Sequence, residues 1–156
     1  MTGPISRRTF LLAAGGVGAA VGLASTASAQ ATRGTAAAME AAIKKIVGSA
    51  QITAGKVKLD LPPLSENGNT VPLSVSVESP MTAADHVKAI HLFTERNPQP
   101  DVASFYLGPR SGRASVSTRI RLADTQNVTA IAELSNGSFW SARVPVVVTL
   151  AACLEE

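Results

Sequence analysis

Cysteine is almost absent from this sequence, in which Cys153 is the only one among 156 residues. A single cysteine cannot close an intramolecular disulfide, so no such cross-link stabilises the fold. Three residues follow Cys153 in the sequence, and we therefore expect an exposed thiol rather than a core residue. In an oxidising compartment a lone thiol is either free and reactive or paired with another molecule.

Histidine is nearly as scarce, with only His86 and His91. Two histidines and one cysteine do not supply the ligand cluster of a zinc site. We interpret both side chains as ordinary surface or half-buried imidazoles, and the sequence predicts neither a metal site nor a cofactor. Motifs of serine hydrolases, nucleotide-binding loops and zinc proteases are also missing. The residues therefore identify no enzyme constellation.

Aromatic residues make up 4% of the chain, and the basic residues are scattered. A nucleic-acid-binding surface needs clustered positive charge and aromatic stacking platforms, so nucleic acid is excluded as a partner. Arg119 and Arg121 alternate along one strand pattern. We interpret them as a solvated basic face rather than an anion site.

The N-terminus has the features of an export signal. Arg7 and Arg8 precede an apolar run over residues 10–23, and a small-residue cleavage site follows at residues 27–29. The apolar run is shorter than the roughly 20 residues that cross a bilayer. Residues 1–29 are therefore predicted to be a twin-arginine signal peptide, which directs a folded protein to the periplasm, rather than a membrane anchor.

Helical and strand patterns divide the rest of the chain. Residues 30–55 contain one helical pattern, Thr35–Val47, in which apolar residues recur at helical spacing before Gly48. Residues 56–150 alternate apolar and polar side chains between turn signals, which predicts a single β domain. Seven strand candidates at even spacing favour a sandwich or a small barrel. They are residues 57–61, 71–77, 87–94, 102–107, 114–122, 128–134 and 139–150.

One hairpin turn and a C-terminal arm complete the prediction. Asn136-Gly137 lies between two strand patterns and predicts a hairpin with a tight primed turn. The last strand is expected to hold the chain in the sheet up to about Leu150. Residues 151–156 then form a C-terminal arm that bears Cys153 and reaches at most roughly 20 Å. Such a tethered thiol suits a covalent carrier, and an incidental cysteine in a frayed tail stays equally open on these grounds.

Five segments, in this order, resemble the SoxY family of bacterial sulfur carriers. They are E-N-G-N-T-V-P (Glu66–Pro72), S-P-M-T-A-A-D-H-V-K (Ser79–Lys88), N-P-Q-P-D-V-A-S-F (Asn97–Phe105), V-S-T-R-I-R-L-A-D-T-Q (Val116–Gln126) and V-V-V-T-L-x-x-C (residues 146–153). The resemblance covers essentially the whole chain, from the twin-arginine signal to the cysteine.

The resemblance implies an immunoglobulin-like antiparallel β-sandwich that pairs with a SoxZ-like subunit as a heterodimer. It implies that Cys153 is the covalent attachment site for thiosulfate-derived sulfur, and that the protein is a substrate carrier and not an enzyme. It also implies three periplasmic partners: a c-type cytochrome that couples thiosulfate to the thiol, a hydrolase that releases sulfate, and a sulfur dehydrogenase. The alternative is a SoxY-like binding module that pairs with a SoxZ-like subunit and carries no sulfur.

The arm departs from the family pattern, in which glycines flank the cysteine on both sides. Here Ala151 and Ala152 precede Cys153, and Leu154-Glu155-Glu156 follows it. Alanine restricts the backbone more than glycine does, and the negative charges beside the thiol disfavour the thiolate. Three explanations stay open: a divergent carrier, a protein that no longer carries sulfur, or an altered tail, because Leu-Glu is a common junction before a tag.

Overall fold

A computed structural model describes residues 33–152. The predicted signal peptide and Cys153 lie outside this part of the chain. The elements are one helix, α1 (Ala36–Val47), and nine strands: β1 (Ile52–Ala54), β2 (Val57–Asp60), β3 (Leu64–Ser65), β4 (Val71–Val77), β5 (Val87–Thr94), β6 (Asp101–Tyr106), β7 (Ser115–Ile120), β8 (Gln126–Leu134) and β9 (Phe139–Val148).

The strands form two sheets. The larger sheet has the order β1-β9-β8-β5-β6, and β3 also pairs with β9. The smaller sheet has the order β2-β4-β7, and both of its pairings are antiparallel. Strands β1 and β3 run parallel to β9, at its beginning and at its end. The remaining pairings of the larger sheet are antiparallel.

The two sheets pack face to face because their strands alternate apolar and polar side chains. In β4 the alternate residues from Val71 to Val77 are buried, and the residues between them, Pro72, Ser74 and Ser76, are exposed or half-buried. The buried residues contact inward residues of the larger sheet such as Leu92 and Val128 in one apolar core. Period-2 patterning places such residues on one face of a strand. The mainly β sandwich predicted from the sequence is confirmed.

Helix α1 covers part of the outer face of the larger sheet. Its side chain Met39 is 1% exposed and packs against Phe93, Ile131 and Phe139 of three neighbouring strands. Burying an apolar side chain of this size contributes about 1.5–3 kcal/mol. The hydroxyl of Thr35 accepts a hydrogen bond from the backbone N–H of Ala38 and caps the helix. The predicted helix is therefore confirmed, with Thr35 as its cap.

The strand prediction placed its seven strands correctly but missed two others. All seven predicted strands are present, with ends that shift by a few residues, and β1 and β3 are additional. Strands of three and two residues are too short to show a periodic pattern. They form because β9 offers a free edge to the chain on both sides of β2.

The hairpin between β8 and β9 is also confirmed, with a different turn. Gly137 has a φ of 80° and donates its N–H to the carbonyl of Leu134, and Leu134 donates to the carbonyl of Ser138. Asn136 does not have a positive φ, which a type I′ turn requires. The prediction of a two-residue primed turn was wrong. The hydrogen bond from Leu134 to Ser138 closes a loop of three residues, 135–137, and only Gly137 in it has a positive φ.

Across residues 33–152, no helix is both long and apolar enough to cross a membrane.

Candidate functional site

The chain that leads to Cys153 stays attached to the sandwich after β9 ends. We call residues 149–152 the arm base. The backbone N–H of Thr149 donates to the carbonyl of Ser65 at 3.1 Å, which continues the pairing of β3 with β9. The hydroxyl of Thr149 donates to the carbonyl of Glu66 at 3.2 Å. The end of β3 and the residue after it therefore hold the first residue of the arm base through two hydrogen bonds.

Two further hydrogen bonds connect the arm base to two loops that are distant in the sequence, and a third joins these loops to each other. Gly68 donates its N–H to the carbonyl of Leu150 at 2.7 Å. The carbonyl of Gly68 accepts the N–H of Leu122 at 2.8 Å, and the carbonyl of Leu122 accepts the N–H of Ala152 at 2.9 Å. We call Gly68, Leu122 and these bonds the clamp. The clamp fixes the backbone up to the residue directly before Cys153.

The chain is held to the sandwich beyond the position expected from the sequence. The strand pattern placed the last fixed residue at about Leu150, whereas Ala152 is hydrogen-bonded and 0% exposed. Leu122, which holds Ala152, follows β7 and is thirty residues away in the sequence. A single backbone acceptor at that distance leaves no periodic signal, so strand patterning could not reveal it.

Asn97 fixes Leu122 from both sides. Its side-chain Nδ2 donates to the carbonyl of Arg121 at 2.8 Å, and its Oδ1 accepts the backbone N–H of Ala123 at 2.9 Å. The same Oδ1 accepts from Nε2 of the buried Gln126 at 2.9 Å. One amide side chain thus bridges the residues on either side of Leu122. Asn97 and Gly68 lie in two of the segments that resemble the SoxY family, but no sequence pattern predicts a role for either residue.

Exposed apolar side chains lie beside the arm base. Leu64 is 52% exposed, and its Cα partner across β3 and β9 is Val147, which is 46% exposed. Leu150, two residues before Ala152, is 61% exposed. We call Leu64, Val147 and Leu150 the apolar patch. Large exposed apolar groups in one place are typical of contact surfaces between proteins.

The histidines do not form a site with each other. His91 lies in β5, is 4% exposed, and its Nδ1 is 2.7 Å from the hydroxyl of Ser104. Nδ1 of His86, just before β5, is 3.1 Å from the carbonyl oxygen of Thr82. Among the residues that the structure describes, no cluster of three or more histidine, cysteine, aspartate or glutamate side chains is placed to hold a metal ion.

Arg119 and Arg121 both line one shallow groove of about 320 Å³ between β6 and β7. The carboxylate-bearing Asp101 also lines the groove, and both arginines are exposed. This mixed, open arrangement is that of a solvated surface, as interpreted from the sequence.

The family model for sulfur oxidation protein SoxY matches residues 43–153. This segment contains the whole sandwich, the clamp and Cys153. The chain belongs to the SoxY family. A second family model, the twin-arginine translocation pathway signal sequence, matches residues 4–24. The protein is therefore exported to the periplasm, as the paired arginines predicted.

A solved member of the SoxY family has the same fold. The sulfur carrier protein SoxY from Chlorobium limicola f thiosulfatophilum is 32% identical to this chain, with a TM-score of 0.63. The match covers 74% of this chain and 100% of that one. The immunoglobulin-like sandwich implied by the resemblance is thus confirmed. A search of curated proteins gave no match.

Superoxide reductases share the sandwich. The superoxide reductase (neelaredoxin) from Ignicoccus hospitalis is 20% identical, with a TM-score of 0.54, over 60% of this chain and 80% of that one. A putative superoxide reductase from Thermotoga maritima is 16% identical, with a TM-score of 0.53, over 64% of this chain and 93% of that one. At these identities the likeness is one of fold alone.

Proposed function

We propose that this SoxY-family protein is a covalent sulfur carrier of the periplasm, and that the thiol of Cys153 is the attachment site. The observation that carries the proposal is that the family match runs through Cys153, the only thiol in the chain. The clamp supports it, because it holds the backbone at Ala152 and the next residue bears the thiol. A solved relative is itself described as a sulfur carrier protein.

Loading forms one sulfur–sulfur bond. The thiol loses a proton, and its sulfur joins the terminal sulfur of thiosulfate to give a cysteine S-thiosulfonate. The reaction is RSH + S₂O₃²⁻ → RS–SSO₃⁻ + H⁺ + 2e⁻. Two electrons leave the pair of sulfur atoms, so an electron acceptor is required. In this proposal the acceptor is a c-type cytochrome, which takes up the two electrons one at a time at its haem iron.

Release of sulfate is a hydrolysis and needs no oxidant. Water attacks the sulfonate sulfur and displaces the persulfide: RS–SSO₃⁻ + H₂O → RS–SH + HSO₄⁻. A hydrolase partner catalyses this step, and a sulfur dehydrogenase oxidises the sulfane sulfur that stays on Cys153. The carrier contributes the attachment point, and its partners contribute the catalysis.

The apolar patch supports visits by such partners. Leu64 and Val147 are exposed register partners near the end of β9, and the exposed Leu150 lies in the arm base itself. An enzyme that takes the arm into its active site must contact the surface around the arm base. A SoxZ-like subunit is the further partner that membership of the family suggests, and we propose it as the constant half of a heterodimer.

Intact-mass analysis tests the carrier function directly. The exported protein is incubated with thiosulfate and the cognate c-type cytochrome, without reductant, and the C-terminal peptide is then sequenced by mass spectrometry. We expect a mass increase of one thiosulfate group on Cys153, which dithiothreitol removes, and no increase in Cys153→Ser.

An unmodified wild-type protein, in an assay that loads a SoxY whose cysteine is flanked by glycines, would contradict the proposal. If the unmodified protein still bound a SoxZ-like subunit, the function would be that of the binding module considered from the sequence.

A further inference from the structure

Position 68 requires glycine because there is no space for a Cβ atom, and not because of the backbone angles. A Cβ built at Gly68 would lie 2.9 Å from the backbone nitrogen of Ala152 and 3.0 Å from the carbonyl oxygen of Leu150, and closest of all to the carbonyl oxygen of Leu122. Its φ is not in the left-handed region. All three neighbours are backbone atoms that cannot rotate away, so only glycine permits this close approach.

Ala152 contributes a second restraint. Its side chain is 0% exposed, so the methyl group is packed against the sandwich and does not extend into solvent. The family pattern has glycine before the cysteine, which would leave this space without a methyl group. The alanine that departs from the pattern therefore strengthens the attachment of the arm base.

We infer that Gly68 and Leu122 position Cys153 for loading, because they hold the backbone of Ala152, the residue directly before it. The inference rests on the proposed function, in which Cys153 receives the sulfur. Successive Cα atoms are 3.8 Å apart. Because Ala152 is fixed, the sulfur of Cys153 stays within about 7 Å of the Cα of Ala152. The thiol then samples a small volume at the rim of the sandwich. An arm free from residue 149 onward would sample a much larger one.

The family segments support this role because they meet at the same place. Of the five segments that resemble the SoxY family, the first contains Gly68, the third Asn97, the fourth Leu122 and the last Ala152. The hydrogen bonds of Asn97 to the neighbours of Leu122 make the carbonyl that holds Ala152 a fixed acceptor. Prior positioning of a reacting group lowers the entropic cost of a reaction between two molecules.

Gly68→Ala is the direct test, and Gly108→Ala is its matched control, because a Cβ at Gly108 meets nothing within 4 Å. Hydrogen exchange of the residue-152 amide, measured by NMR, reports on the clamp itself. We expect protection in the wild type and in Gly108→Ala, and at least about tenfold faster exchange in Gly68→Ala. An unprotected amide in the wild type, or equal protection in Gly68→Ala, would overturn the inference.

Loading kinetics test the positioning. Tetrathionate loads a thiol without an enzyme, since RS⁻ attacks an inner sulfur and displaces thiosulfate: RS⁻ + S₄O₆²⁻ → RS–SSO₃⁻ + S₂O₃²⁻. We expect Gly68→Ala to react with tetrathionate within about twofold of the wild type, and to lose about tenfold in kcat/KM for loading by the c-type cytochrome with thiosulfate. Loss of both rates, or of neither, would show that the clamp does not position the thiol.

A second variant guards against misfolding of Gly68→Ala. Ala152→Gly keeps the backbone N–H, removes only the buried methyl group, and changes the last residue of the described chain. We expect about fourfold faster exchange of the residue-152 amide. Exchange as slow as in the wild type would contradict the packing role of this methyl group. The exchange data test the clamp even if the wild type takes up no sulfur. The carrier function and the clamp can therefore be refuted independently of each other.

Discussion

Nδ1 of His91 lies 2.7 Å from the hydroxyl oxygen of Ser104, across the pairing of β5 with β6. The imidazole is buried, and its Nε2 has no hydrogen-bond partner among the described residues. Burial disfavours the charged imidazolium and lowers the pKa of His91 below its ordinary value of 6.5, and the carboxylate of Glu133 offsets only part of this effect.

Protein stability should therefore fall in mild acid. At a pH near and below 6.5 the unfolded chain binds a proton at His91 that the folded chain does not, so the free energy of unfolding decreases as the pH falls. Above about pH 7 the imidazole is neutral in both states and this contribution is constant. We expect His91→Phe to flatten the dependence of the urea midpoint between about pH 7 and pH 5. His86→Gln should retain the wild-type slope, and a wild-type slope in His91→Phe would refute the assignment.

The contact between helix and sheet should depend on one side chain of α1. Met39 is the buried residue of the helix that fills the space over Phe93 and Ile131. We expect Met39→Ala to lower the free energy of unfolding by about 2–5 kcal/mol in urea, because it leaves a cavity between helix and sheet. Glu40→Ala changes the neighbouring exposed residue and should alter stability by less than about 0.5 kcal/mol. Similar values for the two variants would contradict this packing.

The sandwich was predictable from the sequence because its signals are local and periodic. The alternation from Val71 to Val77 predicts a strand with one buried face, and the structure has that strand with that face buried. The clamp was not predictable, because it consists of backbone bonds between Gly68, Leu122 and Ala152, far apart in the sequence. From the sequence, a glycine in a loop is interpreted as a turn residue. Only the packing of three chain segments shows that there is no space for a Cβ at Gly68.

The apolar patch should matter for loading by an enzyme and not for the reactivity of the thiol itself. The double variant Leu64→Ser, Val147→Ser removes exposed apolar surface at the arm base without changing the core. We expect a rise of about tenfold in the KM for the carrier in cytochrome-dependent loading, the order of effect of losing one well-placed interface contact. The rate with tetrathionate should stay unchanged.

Tyr106→Ser is the matched control for the apolar patch. Tyr106 is 80% exposed and is the last residue of β6. The strand pairings place the arm base at the opposite end of the sheet, the end at which β6 begins. This variant should keep the wild-type KM. An equal effect of both variants would show that enzymes do not dock at the arm base.

The acidic residues after Cys153 should slow its reaction with anions. Glu155 and Glu156 place two negative charges within a few residues of the thiol, and each charge at about 7 Å in water contributes roughly 0.6 kcal/mol before screening. Both tetrathionate and the thiolate are negatively charged, so these carboxylates raise the energy of their encounter. We expect the double variant Glu155→Gln, Glu156→Gln to react about two- to fivefold faster with tetrathionate at low salt, and less than about twofold faster at 1 M salt.

Iodoacetamide separates the two ways in which these charges act. This reagent is neutral, so its rate reflects only the fraction of thiolate, whereas the tetrathionate rate also reflects repulsion of the reagent. The gain for iodoacetamide should therefore be smaller than the gain for tetrathionate at the same pH. Glu40→Gln, a charge change on the exposed side of α1, should leave both rates unchanged. Equal gains for the two reagents would show that the carboxylates act on the thiolate alone, and no gain would show that solvent and salt already cancel their field at Cys153.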